Sequence, residues 1–155
     1  RSYYCNLYLQ YHFFETTGEM HFTPPVQTIY AARQALDEYF AEGEEAKWQR
    51  HLRVFEAIHA GLERLGFQEM IRRELQAGLV VAVKDPDDEN WDFERVHDYC
   101  YERGFTIYPG KAAVQNTFRL CALGAITERD IEDFFVVLEE ALRTCGVQIP
   151  VRYEG

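Results

Sequence analysis

The stretch GFTIYPGKAAVQNTFRLC, residues 104–121, contains two of the strands on which the predicted fold depends. Phe105–Tyr108 is predicted as a short strand that stops at Pro109-Gly110, and Thr117–Cys121 as a second strand. β-Branched and aromatic residues favour extended backbone, whereas a Pro-Gly pair favours a turn. The stretch therefore indicates a sheet, and the flanking sequence has to supply the elements that cover it.

Further elements are predicted on both sides of this stretch. Downstream, Thr127 is the expected N-cap of a last helix, with Asp130 at the capping-box position. The apolar stripe of this helix consists of Ile131, Phe134, Phe135, Leu138 and Leu142. Upstream, Asp92 is the expected N-cap of a helix that ends near Gly104, and the β-branched run Leu79–Val83 indicates a buried strand.

Two longer helices are predicted nearer the N-terminus. Thr23-Pro24-Pro25 opens the first, with Thr23 as its N-cap, and Gly43 ends it. Its apolar stripe is Val26, Ile29, Ala32, Leu36 and Phe40. The second runs from Glu44 to Leu65, with a stripe of Trp48, Leu52, Phe55, Ile58, Leu62 and Leu65. The order of elements predicts an α/β (α+β) fold, a small sheet of about three to four strands covered by helices.

The composition narrows the class of protein. Of the 155 residues, 47% are hydrophobic, which is enough apolar material for a globular domain. The formal net charge of −10 argues against nucleic acid and against an anionic membrane surface as partners. No apolar run is long enough for a membrane span. The cysteines Cys5, Cys100, Cys121 and Cys145 lie far apart without a CxxC pair, a pattern expected for thiols in a reducing cytoplasm.

Arg119 is the first candidate functional residue. Side chains alternate between the two faces of a strand, so Arg119 points away from the core if Phe118 and Leu120 point into it. A guanidinium in mid-strand is costly unless it is exposed or has an anionic partner, and its planar fork matches a carboxylate. We therefore expect either a carboxylate-binding residue or an exposed or salt-bridged surface arginine.

Two further elements are compatible with anion binding. Thr23-Pro24-Pro25 offers a hydroxyl group and the free N–H groups of a helix N-terminus, which suit a phosphate, although an ordinary N-cap has the same sequence. Tyr108-Pro109-Gly110-Lys111 is predicted to be a loop that leaves a strand. It is a candidate active-site loop in which Lys111 supplies positive charge, or else a surface turn with a solvated lysine.

No metal site is predicted. The acidic run that begins at Asp85 resembles a calcium loop, but Asn90 stands where the loop requires Gly, and Val96 where it requires a bidentate Glu. The histidines form no zinc pattern with any cysteine.

Together, the motifs resemble the 2-aminoethylphosphonate–pyruvate transaminase family. The resemblance is carried by Phe22-Thr23-Pro24-Pro25-Val26, by Gly104–Lys111, and by Phe118-Arg119-Leu120 with Gly124 following. The Gly104–Lys111 stretch is the specific part, whereas Thr-Pro-Pro and Phe-Arg are shared among class V aminotransferases, including alanine–glyoxylate transaminases. The family has fold type I, uses pyridoxal 5'-phosphate and is dimeric.

The resemblance implies roles for particular positions. Arg119 would bind the carboxylate of the amino or keto acid, and Thr23 would donate to the cofactor phosphate across the dimer interface. Tyr108, Pro109, Gly110 and Lys111 would lie near the active site. Residues 1–24, which are rich in aromatic side chains, would be the end of the large cofactor domain or an interface segment, and residues 25–155 the C-terminal small domain.

The family also holds its cofactor covalently through a lysine upstream of the Thr-Pro-Pro element. Lys47, Lys84 and Lys111 do not match that motif, so the resemblance implies a lysine upstream of Arg1 and no transaminase activity for the fragment alone. The intact enzyme, expected to be a cytoplasmic homodimer, would transfer the amino group of 2-aminoethylphosphonate to pyruvate.

Two alternatives remain open. One is another class V aminotransferase of the alanine–glyoxylate type, because Leu120-Cys121-Ala122 stands where the family often has Ile-Gly-Asn. The other is a non-enzymatic module that binds an anion or a protein partner through Arg119 and the aromatic N-terminal segment.

Overall fold

The computed structural model describes residues 5–111 and 116–153, except for the side chain of Lys111. The chain divides into two compact units, Arg1–Glu44 and Glu45–Gly155. The division after residue 24 that the sequence suggested concerns the domains of a longer protein, and it stays a prediction.

The first unit contains two helices, α1 (Leu7–Thr17) and α2 (Val26–Glu42). The Asn6 side chain caps α1 by accepting hydrogen bonds from the amides of Tyr8 and Leu9, at 3.1 and 3.3 Å. Neither helix buries a residue. The apolar stripe predicted for α2 is therefore exposed, and Phe40, for example, is 73% accessible.

Helix α2 begins later than predicted, and the expectation that Thr23 is its N-cap is wrong. The N-cap is Pro25, and no side chain caps the helix. The Ile29 amide donates to the Pro25 carbonyl oxygen at 3.0 Å, an i to i−4 bond of the first turn. Thr23 and Pro24 each precede a proline, which disfavours helical backbone at both positions. The helix accordingly begins after these two residues, at Val26.

The second unit holds the sheet and the remaining helices. In chain order its elements are α3 (Glu44–Leu65), a single 3₁₀ turn (Arg73–Leu75), β1 (Val80–Lys84), α4 (Phe93–Tyr101), β2 (Tyr108–Lys111), β3 (Asn116–Cys121) and α5 (Glu128–Cys145). The three strands form an antiparallel sheet in the order β1-β3-β2. The predicted small sheet with helices is confirmed.

The two faces of the sheet differ. Phe118 and Leu120 of β3 lie opposite Val83 and Val81 of β1, and all four belong to one buried core with residues of α3, α4 and α5. Arg119, between Phe118 and Leu120, is exposed. The predicted direction of Arg119, away from the core, is confirmed, whereas Thr117, which alternation places on the same face, is buried.

Helices α3 and α5 cover the core face. The capping box of Thr127 and Asp130 is present, and the five stripe residues predicted for α5 are all buried. The bounds predicted for α3 are also correct, but its buried stripe differs at the N-terminal end. His51 and Val54 are buried there, whereas Trp48 is 46% exposed. The predicted stripe contains Trp48 and omits His51 because histidine is polar, although His51 lies at helical spacing from Phe55 and Ile58.

Strand β2 lies three residues later than predicted, so the assignment of Tyr108–Lys111 to a loop or turn is wrong. Pro109 is paired with Phe118. On the other side of β3, the Ala122 amide donates to the Leu79 carbonyl and the Asp85 amide donates to the Asn116 carbonyl. Because hydrogen-bonded pairs alternate along an antiparallel ladder, the backbone N–H and C=O of Phe118 also point to β1. The Pro109 nitrogen therefore lies on the free edge of the sheet, where it needs no hydrogen-bond partner.

Candidate functional site

Arg119 and Tyr108 are direct neighbours on the open face of the sheet. They form the last cross-strand pair between β2 and β3, and paired residues project from the same face. Tyr108 is 56% exposed. An Nη2–H of Arg119 donates to the carbonyl oxygen of Pro109 at 3.1 Å. The bond directs the guanidinium towards β2. This strand consists of the residues that the sequence analysis assigned to a candidate active-site loop.

The charge of Arg119 is not neutralised by the described part of the chain. None of the ion pairs within 4.0 Å between described residues includes its guanidinium. Among these residues Arg119 is therefore an exposed arginine without an ion pair, which agrees both with a carboxylate-binding residue and with the exposed surface arginine that the sequence allows. Because the Pro109 carbonyl accepts from a single nitrogen, the planar fork still has N–H groups that can bind an anion.

A cavity of about 400 Å³ adjoins Arg119. Its floor is apolar and is formed by Ile58, Leu120, Ile131 and Phe134, each at most 8% exposed. Phe105 and Ile126 add half-buried apolar surface. The more polar lining residues are Thr106, Tyr108, Arg119, Cys121 and Asp130. A concave apolar site with a few polar groups is the usual form of a small-molecule pocket.

Asp130 is a fixed negative charge at this cavity. Its Oδ2 accepts hydrogen bonds from the amide and the hydroxyl of Thr127, at 2.8 and 2.7 Å. Both hydrogen bonds lower the pKa of the Asp130 carboxyl, and the bond from the hydroxyl has the larger effect. The group therefore stays ionised at neutral pH, and its position is determined by the N-terminus of α5.

Helix α3 anchors the segment that follows β3. The buried His51 has its Nδ1 2.7 Å from the carbonyl oxygen of Ala122, and since that oxygen can only accept, Nδ1 carries the proton. Arg50 donates to the carbonyl oxygen of Gly124 at 2.8 Å. Sequence reasoning missed both contacts. The available signal was the helical spacing of His51 from the apolar residues of α3.

The other predicted site residues are only partly placed. Thr23 is exposed and precedes α2 in the first unit, whereas Arg119 lies in the second unit. Lys111 contributes backbone to β2, but its side chain lies outside the described residues. Lys84 ends β1 and donates to the side-chain oxygen of Gln68 at 3.3 Å, and Lys47 lies on α3.

The described residues show neither a metal cluster nor a membrane-spanning helix. Groups of three or more His, Cys, Asp or Glu side chains that could hold a metal ion are absent from this part of the chain. Among the same residues, no helix combines the length and the apolar character that crossing a bilayer requires.

Several curated proteins similar to this chain are named 2-aminoethylphosphonate–pyruvate transaminase. The chain is 32% identical over 145 residues to 2-aminoethylphosphonate–pyruvate transaminase 1 of Cupriavidus pinatubonensis, a match that covers 93% of the chain and 38% of the relative. It is 34% identical to the protein of the same name from Burkholderia lata, with 93% and 39% covered. The match lies in the C-terminal part of these relatives, and the chain spans less than two-fifths of their length. The resemblance inferred from the motifs is confirmed.

The fold is also found among solved structures. Alanine–glyoxylate aminotransferase from Nostoc sp. superposes with a TM-score of 0.77 at 23% identity, over 92% of this chain and 39% of that structure. At this identity the likeness shows the fold alone, which is that of the fold type I aminotransferases. No protein-family model matches the chain.

Proposed function

We propose that this chain is the C-terminal part of a pyridoxal-phosphate-dependent aminotransferase that transfers the amino group of 2-aminoethylphosphonate to pyruvate, giving phosphonoacetaldehyde and alanine. The observation that carries the proposal is the exposed guanidinium of Arg119, which has no carboxylate partner among the described residues and adjoins an apolar cavity. The 32% identity to a protein named for this reaction supports the choice of donor and acceptor. Because the chain covers 38% of that relative, the activity is proposed for the whole protein.

Arg119 binds the carboxylate of the keto or amino acid. A guanidinium offers two parallel N–H groups to the two oxygens of a carboxylate, which orients the ligand as well as attracting it. The bond to the Pro109 carbonyl restricts the rotation of the guanidinium, so that less entropy is lost when the ligand binds.

Strand β2 shapes one side of this site. Tyr108 stands beside Arg119 on the open face, where its ring and hydroxyl group can contact a ligand held by the guanidinium. Pro109 supplies the carbonyl that orients Arg119, and Gly110 lets β2 approach Thr117 closely. Lys111 ends the strand.

Thr23 is the residue of this chain that fits the cofactor. It is exposed and lies just ahead of the positive end of α2, where a hydroxyl group and first-turn amides suit a phosphate. When bound, pyridoxal phosphate supplies the electron sink for amino-group transfer. None of the three lysines of this chain fits the position of the covalent anchor, so the chain alone catalyses no transamination. In the homodimer, Thr23 serves the partner's cofactor.

The proposed location is the cytoplasm. Cys100, Cys121 and Cys145 are thiols, and burial raises the pKa of Cys100 to about 11, which keeps it protonated and unreactive. A reducing compartment is where such thiols persist.

The proposal is tested with the intact protein that contains this chain. Purified protein with added pyridoxal phosphate is given pyruvate and a panel of donors: 2-aminoethylphosphonate, alanine, glycine and aspartate. We expect alanine to form from 2-aminoethylphosphonate and pyruvate, and we expect this turnover to fall in Arg119→Met but not in Arg129→Met, whose arginine is exposed on α5. No turnover with 2-aminoethylphosphonate would refute the proposed donor, and equal turnover of both variants would refute the role of Arg119.

A further inference from the structure

The end of β3 beyond Arg119 is paired with a strand on one side only. The ladder between β2 and β3 ends at the pair Tyr108–Arg119. On the β1 side the pairing continues for two residues past Arg119, and the Ala122 amide then donates to the carbonyl oxygen of Leu79 at 2.8 Å. Arg119 is therefore the last residue of β3 that has a paired strand on both sides.

Helix α3 gives this strand end a second attachment. The buried His51 donates from Nδ1 to the carbonyl oxygen of Ala122 at 2.7 Å. Ala122 is 2% exposed, so bulk water has little access to that carbonyl. Both backbone polar groups of Ala122 are thus bonded, the N–H to Leu79 and the C=O to His51.

Helix α3 also holds the connector between β3 and α5, residues 122–127. Arg50 donates to the carbonyl oxygen of Gly124 at 2.8 Å. Beyond the connector, Arg53 pairs with Glu128 at the start of α5, at 2.6 Å. Exposed ion pairs of this kind contribute little free energy, so the buried imidazole bond is the main attachment. Helix α3 accordingly sets where β3 ends and where α5 begins.

The position of this strand end affects the direction of Arg119. Ala122 lies three residues past Arg119, and a strand rises about 3.3 Å per residue, so about 10 Å of backbone joins the two. Arg119 also donates to the carbonyl oxygen of Pro109 on β2, and this bond depends on how β3 lies relative to β2. A misplacement of about 1 Å in a group that orients a substrate can cost on the order of a hundredfold in rate.

We propose that His51 is a positioning residue for Arg119: its bond to Ala122 fixes the end of β3 and hence the direction in which the guanidinium meets a carboxylate. The inference rests on the proposed function, in which Arg119 binds the keto acid. His51 does not line the cavity beside Arg119, so it acts through the backbone of β3 and not by touching the substrate.

The experiment compares His51→Leu with His51→Asn in the intact protein that contains this chain. Both new side chains branch at the γ atom, but only asparagine places an N–H at the δ position that Nδ1 occupies in histidine. With 2-aminoethylphosphonate as donor, we expect kcat/KM for pyruvate to fall roughly tenfold in His51→Leu and to stay within about threefold of wild type in His51→Asn. The loss should be mainly a raised KM, because a carboxylate anchor acts in the bound substrate as well as in the transition state.

A variant of His59 separates positioning from general stability. His59 is a second buried histidine of α3, but it bonds to Glu69, which is bridged to Val83 of β1 and not to β3. His59→Leu should lower the melting temperature, as His51→Leu does, and leave KM for pyruvate unchanged. Melting curves show which variants are folded.

His51→Gln replaces His51→Leu if the leucine variant does not fold. The glutamine amide lies one bond beyond the δ position, so this variant should raise KM for pyruvate more than His51→Asn does. Equal KM values for the two amide variants would overturn the inference.

The outcomes separate this inference from the proposed function. An unchanged KM in folded His51→Leu, together with a loss of turnover in Arg119→Met, would overturn the inference and leave the proposed function intact. Equal rises of KM in His51→Leu and His59→Leu, or in His51→Leu and His51→Asn, would overturn it as well. If wild type shows no turnover with pyruvate, or if Arg119→Met retains all of it, the proposed function fails and the inference fails with it.

Discussion

The guanidinium of Arg119 donates a hydrogen bond to the carbonyl oxygen of Pro109 at 3.1 Å, across strand β2. The Phe118 backbone, opposite Pro109, bonds to β1, so the Pro109 carbonyl faces the free edge of the sheet. The bond links the central strand to the edge strand through a side chain. The bond also fixes the direction of the Arg119 side chain, which has no carboxylate partner among the described residues.

Replacement of Arg119 by lysine should weaken carboxylate binding although the charge is kept. Lysine loses the planar pair of N–H groups, and hydrogen bonds to charged groups are worth about 1.5–3 kcal/mol, so we expect affinity for 2-oxo acids to fall about tenfold to a hundredfold. The melting temperature should not change, because the residue is exposed. Calorimetric titration measures the affinity. Arg129→Lys, at an exposed position of α5, is the control, and an unchanged affinity in Arg119→Lys would contradict the bidentate role.

Gly110→Ala should destabilise the hairpin of β2 and β3. A Cβ at this position would overlap Oγ1 of Thr117 and would lie 3.3 Å from the Thr117 carbonyl oxygen. Overpacking of this kind costs about 1–3 kcal/mol. Denaturant unfolding measures the loss. The double variant Gly110→Ala/Thr117→Ala should recover part of it, whereas additive effects of the two substitutions would show that the steric contact is not the cause.

Gly61→Ala should also destabilise the protein, although alanine is favoured over glycine in helices by about 1 kcal/mol. The new Cβ would overlap the ring of Phe135, which packs on α3 at this point. We expect a net loss of about 1–3 kcal/mol in the free energy of unfolding.

The control for Gly61→Ala is the reverse change at the adjacent exposed residue, Ala60→Gly, which should lose only the helix propensity. In the background of Phe135→Leu, the penalty of Gly61→Ala should shrink. A stabilising effect of Gly61→Ala in the wild-type background would contradict the close packing of α3 and α5.

Asp88→Asn should change the acid limb of the stability profile. Asp88 accepts hydrogen bonds from the amides of Gln148 at 2.9 Å and Asn90 at 2.8 Å, and these bonds lower its pKa from 3.8. A depressed folded-state pKa contributes stability above the unfolded-state value, and that contribution is lost as pH falls through the folded-state value. Wild type should therefore be more stable than Asp88→Asn at neutral pH, and the difference should shrink below about pH 3.8. Urea unfolding between pH 2 and 7 measures it, with Glu89→Gln as the neighbouring control.

Much of the fold could be predicted locally. The bounds of α3, the Thr127–Asp130 capping box and the buried stripe of α5 follow from helical spacing and cap chemistry, which involve residues a few positions apart. The exposure of Arg119 follows from strand alternation, which is equally local. Thr23 is not the N-cap, because each of the two successive prolines disfavours helical backbone at the residue before it.

By itself, then, the sequence determined the helices α3 and α5, the strand that carries Arg119 and the face that its side chain takes, because those properties depend on near neighbours along the chain. The tertiary structure decided that Pro109 lies within an edge strand, that its carbonyl orients Arg119, and that Ile58, Leu120 and Phe134 enclose a cavity beside it. The physical reason is that strand order and the unequal lengths of β2 and β3 bring together residues far apart in sequence, which no local preference specifies.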